Sequence, residues 1–349
     1  MKYRVLGLMS GTSLDGLDMV LCDFVKTSDK WNFDIKKAIT IEYPEYLAER
    51  IKNALFFSVV EFVELDKTYG RYIANSINEH FKNEKIDFIS SHGHTVIHFP
   101  DKNINFQIGD GATISAITGL PVVCDFRSID IALGGQGAPL VPAAEKILFP
   151  EFDSFLNIGG FSNISIHNEK ILAFDISPAN YALNYFARLN NLSFDFGGKL
   201  GKKGVVKKQL LDELNSLAYY KKQAPKSLSD HWFYQTFLPI VDKYDISINN
   251  KIRTIYEHIS TQIANNINSF AIKKIMFTGG GTFNEFLVEL IKSKTKAQIV
   301  IPKKEIVDFK EAIIFAFLGL LRWTNSINIF ASVTGAKHDN IGGAIYQAK

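Results

Sequence analysis

Cysteine is almost missing from this chain: Cys22 and Cys124 are the only two in 349 residues. That excludes a disulfide framework, and neither belongs to a CxxC pair. Both fall in apolar, strand-like runs, where a free thiol behaves as a small hydrophobe. Long hydrophobic runs are missing too. The longest uncharged apolar stretch, residues 312–321, is too short to cross a bilayer. The N-terminus lacks the extended apolar segment of a secretory signal, so a soluble, cytoplasmic protein is expected. Charge of one sign is also scarce: the formal net charge is +3. Nucleic acid and anionic membranes are therefore not expected as partners. Three common signatures are absent as well. There is no GxxxxGK[ST] loop, no GxGxxG after a strand and no GxSxG elbow, which argues against P-loop, Rossmann and α/β-hydrolase chemistry.

What is present describes an ordinary globular chain, 46% hydrophobic and 21% charged. Its length favours two domains over one. Strand-like and helix-like segments alternate, the mark of an α/β class. Residues 3–9 and 17–25 read as two strands of a hairpin. Strands are also expected at 87–91, 95–99, 121–126, 155–158, 162–167, 171–175 and 274–278. Helices are expected at 61–82, 249–270 and 309–323. In the second of these, Ile252, Ile255, Tyr256, Ile259, Ile263 and Ile267 share one face at helical spacing. The glycine-rich break at Gly134, Gly135, Gln136 and Gly137 marks the approximate domain crossover. The pattern of strand, Gly/Ser/Thr turn and strand at 5–24 recurs at 155–166. It is too imprecise for a sequence repeat but suggests two similar halves.

Three turns are candidates for binding an anion. The first comprises Gly11, Thr12, Ser13, Leu14, Asp15, Gly16, Leu17 and Asp18. Its glycines allow main-chain N–H groups close to phosphate, and Asp15 and Asp18 could hold Mg²⁺. An ordinary hairpin turn explains the same residues. The second turn carries Gly159 and Gly160, and the third carries Gly279, Gly280 and Gly281, ending a strand and opening a helix. Asp175 closes a strand before Ser177, Pro178, Ala179 and Asn180. It reads equally as a general base beside a cleft and as the N-cap of a helix. His92, His94 and His98 share a strand face if alternation holds, so they are either metal ligands or, better, polar lining of a cleft. The lysines at 199, 202, 203, 207 and 208 read as a solvated helix start.

Taken in order, these blocks resemble the anhydro-N-acetylmuramic acid kinase family. The blocks are Ser10 to Gly16, Ser91-His92-Gly93-His94-Thr95, Gln107-Ile108-Gly109-Asp110, Gly134 to Pro142, Asn157 to Gly160, Phe174-Asp175 with Pro178 and Asn180, and Ser332 to Ala336. The resemblance runs from about residue 4 to 346. It implies an actin-like (ribonuclease H-like) two-domain ATPase fold with nucleotide and sugar in a cleft between domains. Residues 1–128 plus 340–349 would form the first domain and 129–339 the second. ATP and Mg²⁺ would be the cofactors. The implied reaction hydrolyses the 1,6-anhydro bridge of 1,6-anhydro-N-acetylmuramic acid and phosphorylates O6 during peptidoglycan recycling. Asp175 would be the base, the three glycine turns would bind nucleotide, and His92, Gln136, Asn180 and Glu311 would meet the sugar. A homodimer is expected only because symmetric pairs are common. One departure stands out: Ser229-Asp230-His231 replaces a Gly-Arg-Glu of related proteins, which reverses a charge. That change motivates one alternative, a sugar or nucleotide sensor without catalysis; another is a kinase or hydrolase for a different amino sugar.

Overall fold

In the computed structural model, all residues are described except 12, 13, 29, 169, 170, 225 and 349. The chain divides into two compact units: Met1–Pro150 with Phe309–Lys349, and Glu151–Asp308.

The first unit is built on β1 (Lys2–Ser10), β2 (Leu17–Thr27), β3 (Lys30–Ile41), β4 (Phe88–Phe99), β5 (Ile104–Ile108), β6 (Val122–Cys124) and, from the far end of the chain, β12 (Ala344–Tyr346). The order is β12-β6-β4-β1-β2-β3, with β5 paired to β4. β1, β2 and β3 are antiparallel neighbours, while β4 runs parallel to β1 and β6 parallel to β4. The second unit holds β7 (Ser154–Ile158), β8 (Phe161–His167), β9 (Ile171–Pro178), β10 (Lys274–Thr278) and β11 (Gln298–Val300) in the order β11-β10-β7-β8-β9. Again three antiparallel strands come first, and β10 lies parallel to β7 and β11 to β10. Each unit therefore has the strand order and directions of the actin-like, ribonuclease H-like fold. The weak echo in the sequence corresponds to this repeated topology.

The helices that matter here are α1 (Val59–His80), α2 (Gly111–Thr118), α3 (Val141–Leu148), α4 (Asn180–Arg188), α5 (Ile248–Ser269), α6 (Glu285–Lys292) and α7 (Lys304–Trp323). α1 begins at a reciprocal Ser58–Glu61 capping box. It buries Leu65, Tyr69, Ile73 and Ile77 against Leu6, Leu8 and Ile108 of the first sheet. α5 buries all six residues of its expected face in a cluster with Leu156, Ile164 and Phe277 of the second sheet. From Phe309 onward α7 lies on the other side of the first sheet, with Phe317 against Phe24 and Trp31 and Ser90 Oγ donating to the Phe315 carbonyl.

The domain limits differ from those expected. The glycine-rich break sits inside the first unit, because α3 packs on β3 and its Glu145 pairs with Lys310 of α7. Both cysteines are free and buried. Among the described residues, no helix is long and apolar enough to cross a membrane.

Candidate active site

In the first unit the turn from Gly11 to Gly16 leaves the C-terminal end of β1, where ligands sit in parallel α/β sheets. The Leu14 N–H donates to the Gly11 carbonyl at 3.2 Å. Thr12 and Ser13 lie outside the described residues. Asp15 is exposed, Gly16 and Leu17 are buried, and Asp18 accepts from Thr40 Oγ1 at 2.6 Å. Beneath the turn, Ser10 Oγ lies 2.8 Å from His94 Nδ1 and accepts from the Tyr43 hydroxyl at 2.6 Å, which is 2.8 Å from the Tyr69 hydroxyl. Burial pushes the His94 imidazole down to about 4, so it stays neutral near pH 7.

The three histidines of β4 do not share a face. The pairs Leu8–Ser91 and Ser10–His94 set three steps of β4 against two of β1, and this bulge breaks the alternation. His94 turns to Ser10, His92 packs on Phe315 of α7 with ring centroids 4.4 Å apart, and His98 is exposed. No group of three or more potential ligands gathers among the described residues, so the metal alternative for these histidines has no support.

His92 is held instead by Arg127, just after β6. The guanidinium donates to His92 Nε2 at 2.8 and 3.2 Å and to the Gly137 carbonyl at 2.5 Å, while His92 Nδ1 faces the Gly93 carbonyl at 3.0 Å. With Nε2 accepting, the ring is the neutral Nδ1–H tautomer. Burial and the adjacent guanidinium lower its pKa well below the usual histidine range. Burial also brings Arg127 down to about 10, opposed by the charge of Glu311. Glu311 is reached by solvent, yet its carboxyl is crowded by protein on most sides. That crowding raises its pKa, with Asp18 adding and Lys310 and Arg127 opposing. Asp18, His92, Arg127 and Glu311 therefore share one electrostatic neighbourhood.

Gln136 is exposed, on a loop anchored from below. Its N–H donates to the Thr334 carbonyl at 2.8 Å. The fully buried Asp130 carboxylate accepts from Gly137 N–H at 2.8 Å, Thr334 Oγ1 at 2.7 Å and Asn340 Nδ2 at 2.9 Å. One carboxylate thus ties together the Gly134–Pro142 and Ser332–Ala336 blocks.

In the second unit the other two turns come together. β7 and β10 are parallel neighbours with Thr278 opposite Asn157, so the turns that follow them leave the same edge of the sheet. A Cβ on Gly279 would come within 2.5 Å of Asn157 Oδ1, and one on Gly281 would overlap Ile158. Only glycine permits this contact, and Gly279 also sits at φ 82°. Gly280 faces open space. The residues after the turn form a single 3₁₀ turn, Gly280–Phe283, and α6 starts only at Glu285, with Asn284 capping it. The expected helix N-terminus is thus displaced from the glycines, because the glycines are needed for packing on β7.

Asp175 lies within β9, opposite Asn163, and the strand runs on to Pro178. The N-cap of α4 is Ala179, without a side-chain bond, so Asp175 does not cap that helix. Its Oδ2 accepts from Leu228 N–H at 2.8 Å, its N–H donates to the Lys226 carbonyl, and its carbonyl accepts from the Tyr219 hydroxyl at 2.7 Å. Burial raises the carboxyl pKa and the Leu228 N–H opposes that rise. Asn180 donates through its main chain to the Gly159 carbonyl at 3.1 Å and through Nδ2 to the Ile158 carbonyl at 3.3 Å. Asn180 is thereby fixed to the turn bearing Gly159 and Gly160.

Comparison with known proteins shows the family of the chain. The sequence profile of anhydro-N-acetylmuramic acid kinases matches residues 3–348. The chain belongs to this family. It is 32% identical to the anhydro-N-acetylmuramic acid kinase of Sulfurovum sp. strain NBC37-1, covering 99% of each chain. It is 34% identical to that of Shewanella denitrificans over 99% of this chain and 98% of the relative. To that of Clostridioides difficile strain 630 it is 33% identical over 97% of both. Within this anhydro-N-acetylmuramic acid kinase family member, the departing Ser229-Asp230-His231 segment forms a local cap: Ser229 Oγ accepts from Trp232 N–H at 3.2 Å, and Asp230 and His231 are exposed. Sequence reasoning missed Arg127, Asp130 and Tyr219. Arg127 and Asp130 had a weak signal, two charges placed between an apolar strand and a glycine-rich loop. Tyr219 had none, since its partner lies 44 positions away.

Proposed function

We propose that this chain catalyses ATP-dependent hydrolysis of the 1,6-anhydro bridge of anhydro-N-acetylmuramic acid with phosphorylation of O6, giving N-acetylmuramic acid 6-phosphate and ADP. The observation that carries this reading is the family match from residue 3 to 348. The relatives above are all named as kinases, which favours catalysis over the sensor reading. Asp175, as base, takes a proton from a water that attacks C1, and cleavage of the bridge leaves O6 to attack the γ-phosphate. Its raised pKa strengthens it as a proton acceptor, and the Leu228 N–H favours its ionised form. Phosphoryl transfer then needs positioning and charge neutralisation more than covalent chemistry.

In this reading the main-chain amides of the Gly11–Asp18 turn and of the Gly159–Gly160 and Gly279–Gly281 turns hold the nucleotide, and His92, Gln136, Asn180 and Glu311 hold the sugar. Magnesium fits the donors available: Asp15 is exposed and Asp18, at the end of the same turn, is half-buried, and one or two carboxylates with phosphate oxygens and waters suit this ion. When bound it would neutralise phosphate charge. The reaction would take place in the cytoplasm, where ATP is available. Purified protein given ATP, Mg²⁺ and the anhydro sugar should form ADP and a 6-phosphosugar in equal amounts. Asp175→Asn should lose nearly all turnover while nucleotide binding, read by calorimetry, persists. Absence of ADP above background from folded wild-type protein would overturn the proposal.

A further inference from the structure

Among the described residues β9 is the last strand of the second sheet, so its open side has no neighbouring strand to bond. Asp175 turns both main-chain groups to that side. Its N–H donates to the Lys226 carbonyl at 3.0 Å, and its carbonyl accepts from the Tyr219 hydroxyl at 2.7 Å. Immediately afterwards the pairing with β8 slips. Asn163 faces Asp175 and Ser162 faces Ser177, which leaves Ile176 as the extra residue of a bulge. A bulge bends its strand and re-aims the neighbouring side chains. The direction of the Asp175 carboxylate therefore depends on what grips the main chain just before the bend.

Tyr219 is itself held from several sides. It lies on the short helical turn Ala218–Lys221, where the Lys226 ammonium donates to the Tyr219 carbonyl at 3.4 Å and sits 4.9 Å from its ring. Trp232, just past the departing Ser229-Asp230-His231 segment, packs on that ring with centroids 5.4 Å apart. The next residue reaches into the core: the Tyr220 hydroxyl lies 2.8 Å from Nε2 of the fully buried His258 of α5. His258 Nδ1 is 2.7 Å from Asn215 Oδ1, which also accepts from Gln262 Nε2 at 2.9 Å. An amide oxygen only accepts, so Nδ1 carries the proton and Nε2 accepts from Tyr220. Burial takes the imidazole down to about 3, which keeps it neutral near pH 7. A buried polar network of this kind rigidifies its members in a single arrangement.

We propose that Tyr219 and Tyr220 are positioning residues for the reaction: the His258 network fixes Tyr220, Tyr220 fixes the turn, and the Tyr219 hydroxyl fixes the main chain that aims the Asp175 carboxylate. This rests on the kinase reading above, in which Asp175 is the base. Neither tyrosine touches a reacting atom in this arrangement; each acts through the residue it holds. The effect belongs to the chemical step, since a misplacement of about 1 Å at a reacting group can cost about a hundredfold in rate. Ligand binding, which does not depend on the aim of the base, is spared.

The test is steady-state ADP release with the anhydro sugar by wild type, Tyr219→Phe, Tyr220→Phe and the double variant. Tyr219→Phe keeps the ring that Lys226 and Trp232 meet and deletes one hydrogen bond. Its kcat should fall about tenfold, while KM for sugar and for ATP stays within about twofold. Tyr220→Phe should lower kcat about threefold, and the double variant should be no slower than Tyr219→Phe, because the second change acts only through the hydroxyl already removed. Circular dichroism and a calorimetric nucleotide affinity equal to wild type establish folding. A wild-type kcat in Tyr219→Phe overturns the positioning role, and so do losses that multiply in the double variant or a raised KM with kcat unchanged. Should Tyr219→Phe not fold, Tyr220→Phe decides: a lower kcat at unchanged KM supports the role, and an unchanged kcat refutes it. If wild type turns over the sugar and neither tyrosine matters, the kinase reading stands alone. If wild type releases no ADP, both fall.

Discussion

At the scale of single residues, the chemistry is decided by what surrounds a carboxyl group. Asp18 and Asp175 are both aspartates near glycine turns. Asp18 carries a hydroxyl donor on the edge of the first turn, whereas Asp175 is half-buried, with a single main-chain N–H opposing its rise in pKa. A general base works only when deprotonated. Raising its pKa above the usual carboxylate value of about 3.9 therefore moves the acid limb of activity to higher pH. The log kcat profile of the wild-type enzyme should fall on acidification at a pH above that value. Leu228→Pro removes the N–H that favours the ionised form, so its acid limb should lie higher still. Rate–pH profiles of the two proteins, with folding checked by circular dichroism, measure this. A Leu228→Pro limb at or below the wild-type position would contradict it.

At the scale of elements, α7 determines much of the first site, since Glu311 is on it and Phe315 supports His92. Two features fix its position. A Cβ on Gly7 of β1 would overlap the Ala312 carbonyl, so glycine there lets the helix come down on the sheet. The Lys310–Glu145 pair, at 2.8 Å with side chains 9% and 2% exposed, ties α7 to α3. Removing one member of a buried pair strands the other charge, at a cost of about 3–5 kcal/mol. Lys310→Met should lower unfolding stability by that amount in urea titration. Lys310→Met with Glu145→Leu should recover most of the loss, since an apolar pair of similar volume is often no worse. Equal stability of the single and double variants would refute this assignment.

The same scale shows where periodicity was readable. α1, α5 and β10 carry unbroken apolar patterns, and they occupy nearly the residues expected. β3 went unread because charged and apolar residues alternate along an outer strand, Lys30–Ile41, with little of it fully buried. β4 was read as two strands because Ser-His-Gly-His looks like a break, and only pairing with β1 and β5 shows one strand with bulges.

At the scale of the whole molecule, two units repeat one strand order, and each places glycine turns at the C-terminal ends of its parallel strands. On the kinase reading, these turns bind ATP only in the folded state. Nucleotide should therefore raise stability by mass action, about 2.7 kcal/mol at a hundred times its Kd. Thermal melts with rising ATP and Mg²⁺ should show a progressive increase in Tm. A Tm independent of nucleotide in folded protein would count against ATP binding.

The sequence by itself determined the α/β class, the long helices, the free buried cysteines and the ordered glycine, histidine and aspartate blocks. These are local facts, set by periodicity and by residues whose backbone or side-chain chemistry has few substitutes. Only the tertiary structure decided that Asp175 is no helix cap, that His92 and His94 turn apart, and that Arg127 and Asp130 join distant blocks. Those outcomes depend on strand register and on burial, which arise when segments far apart in the chain exclude water from the same space, and no local pattern encodes them.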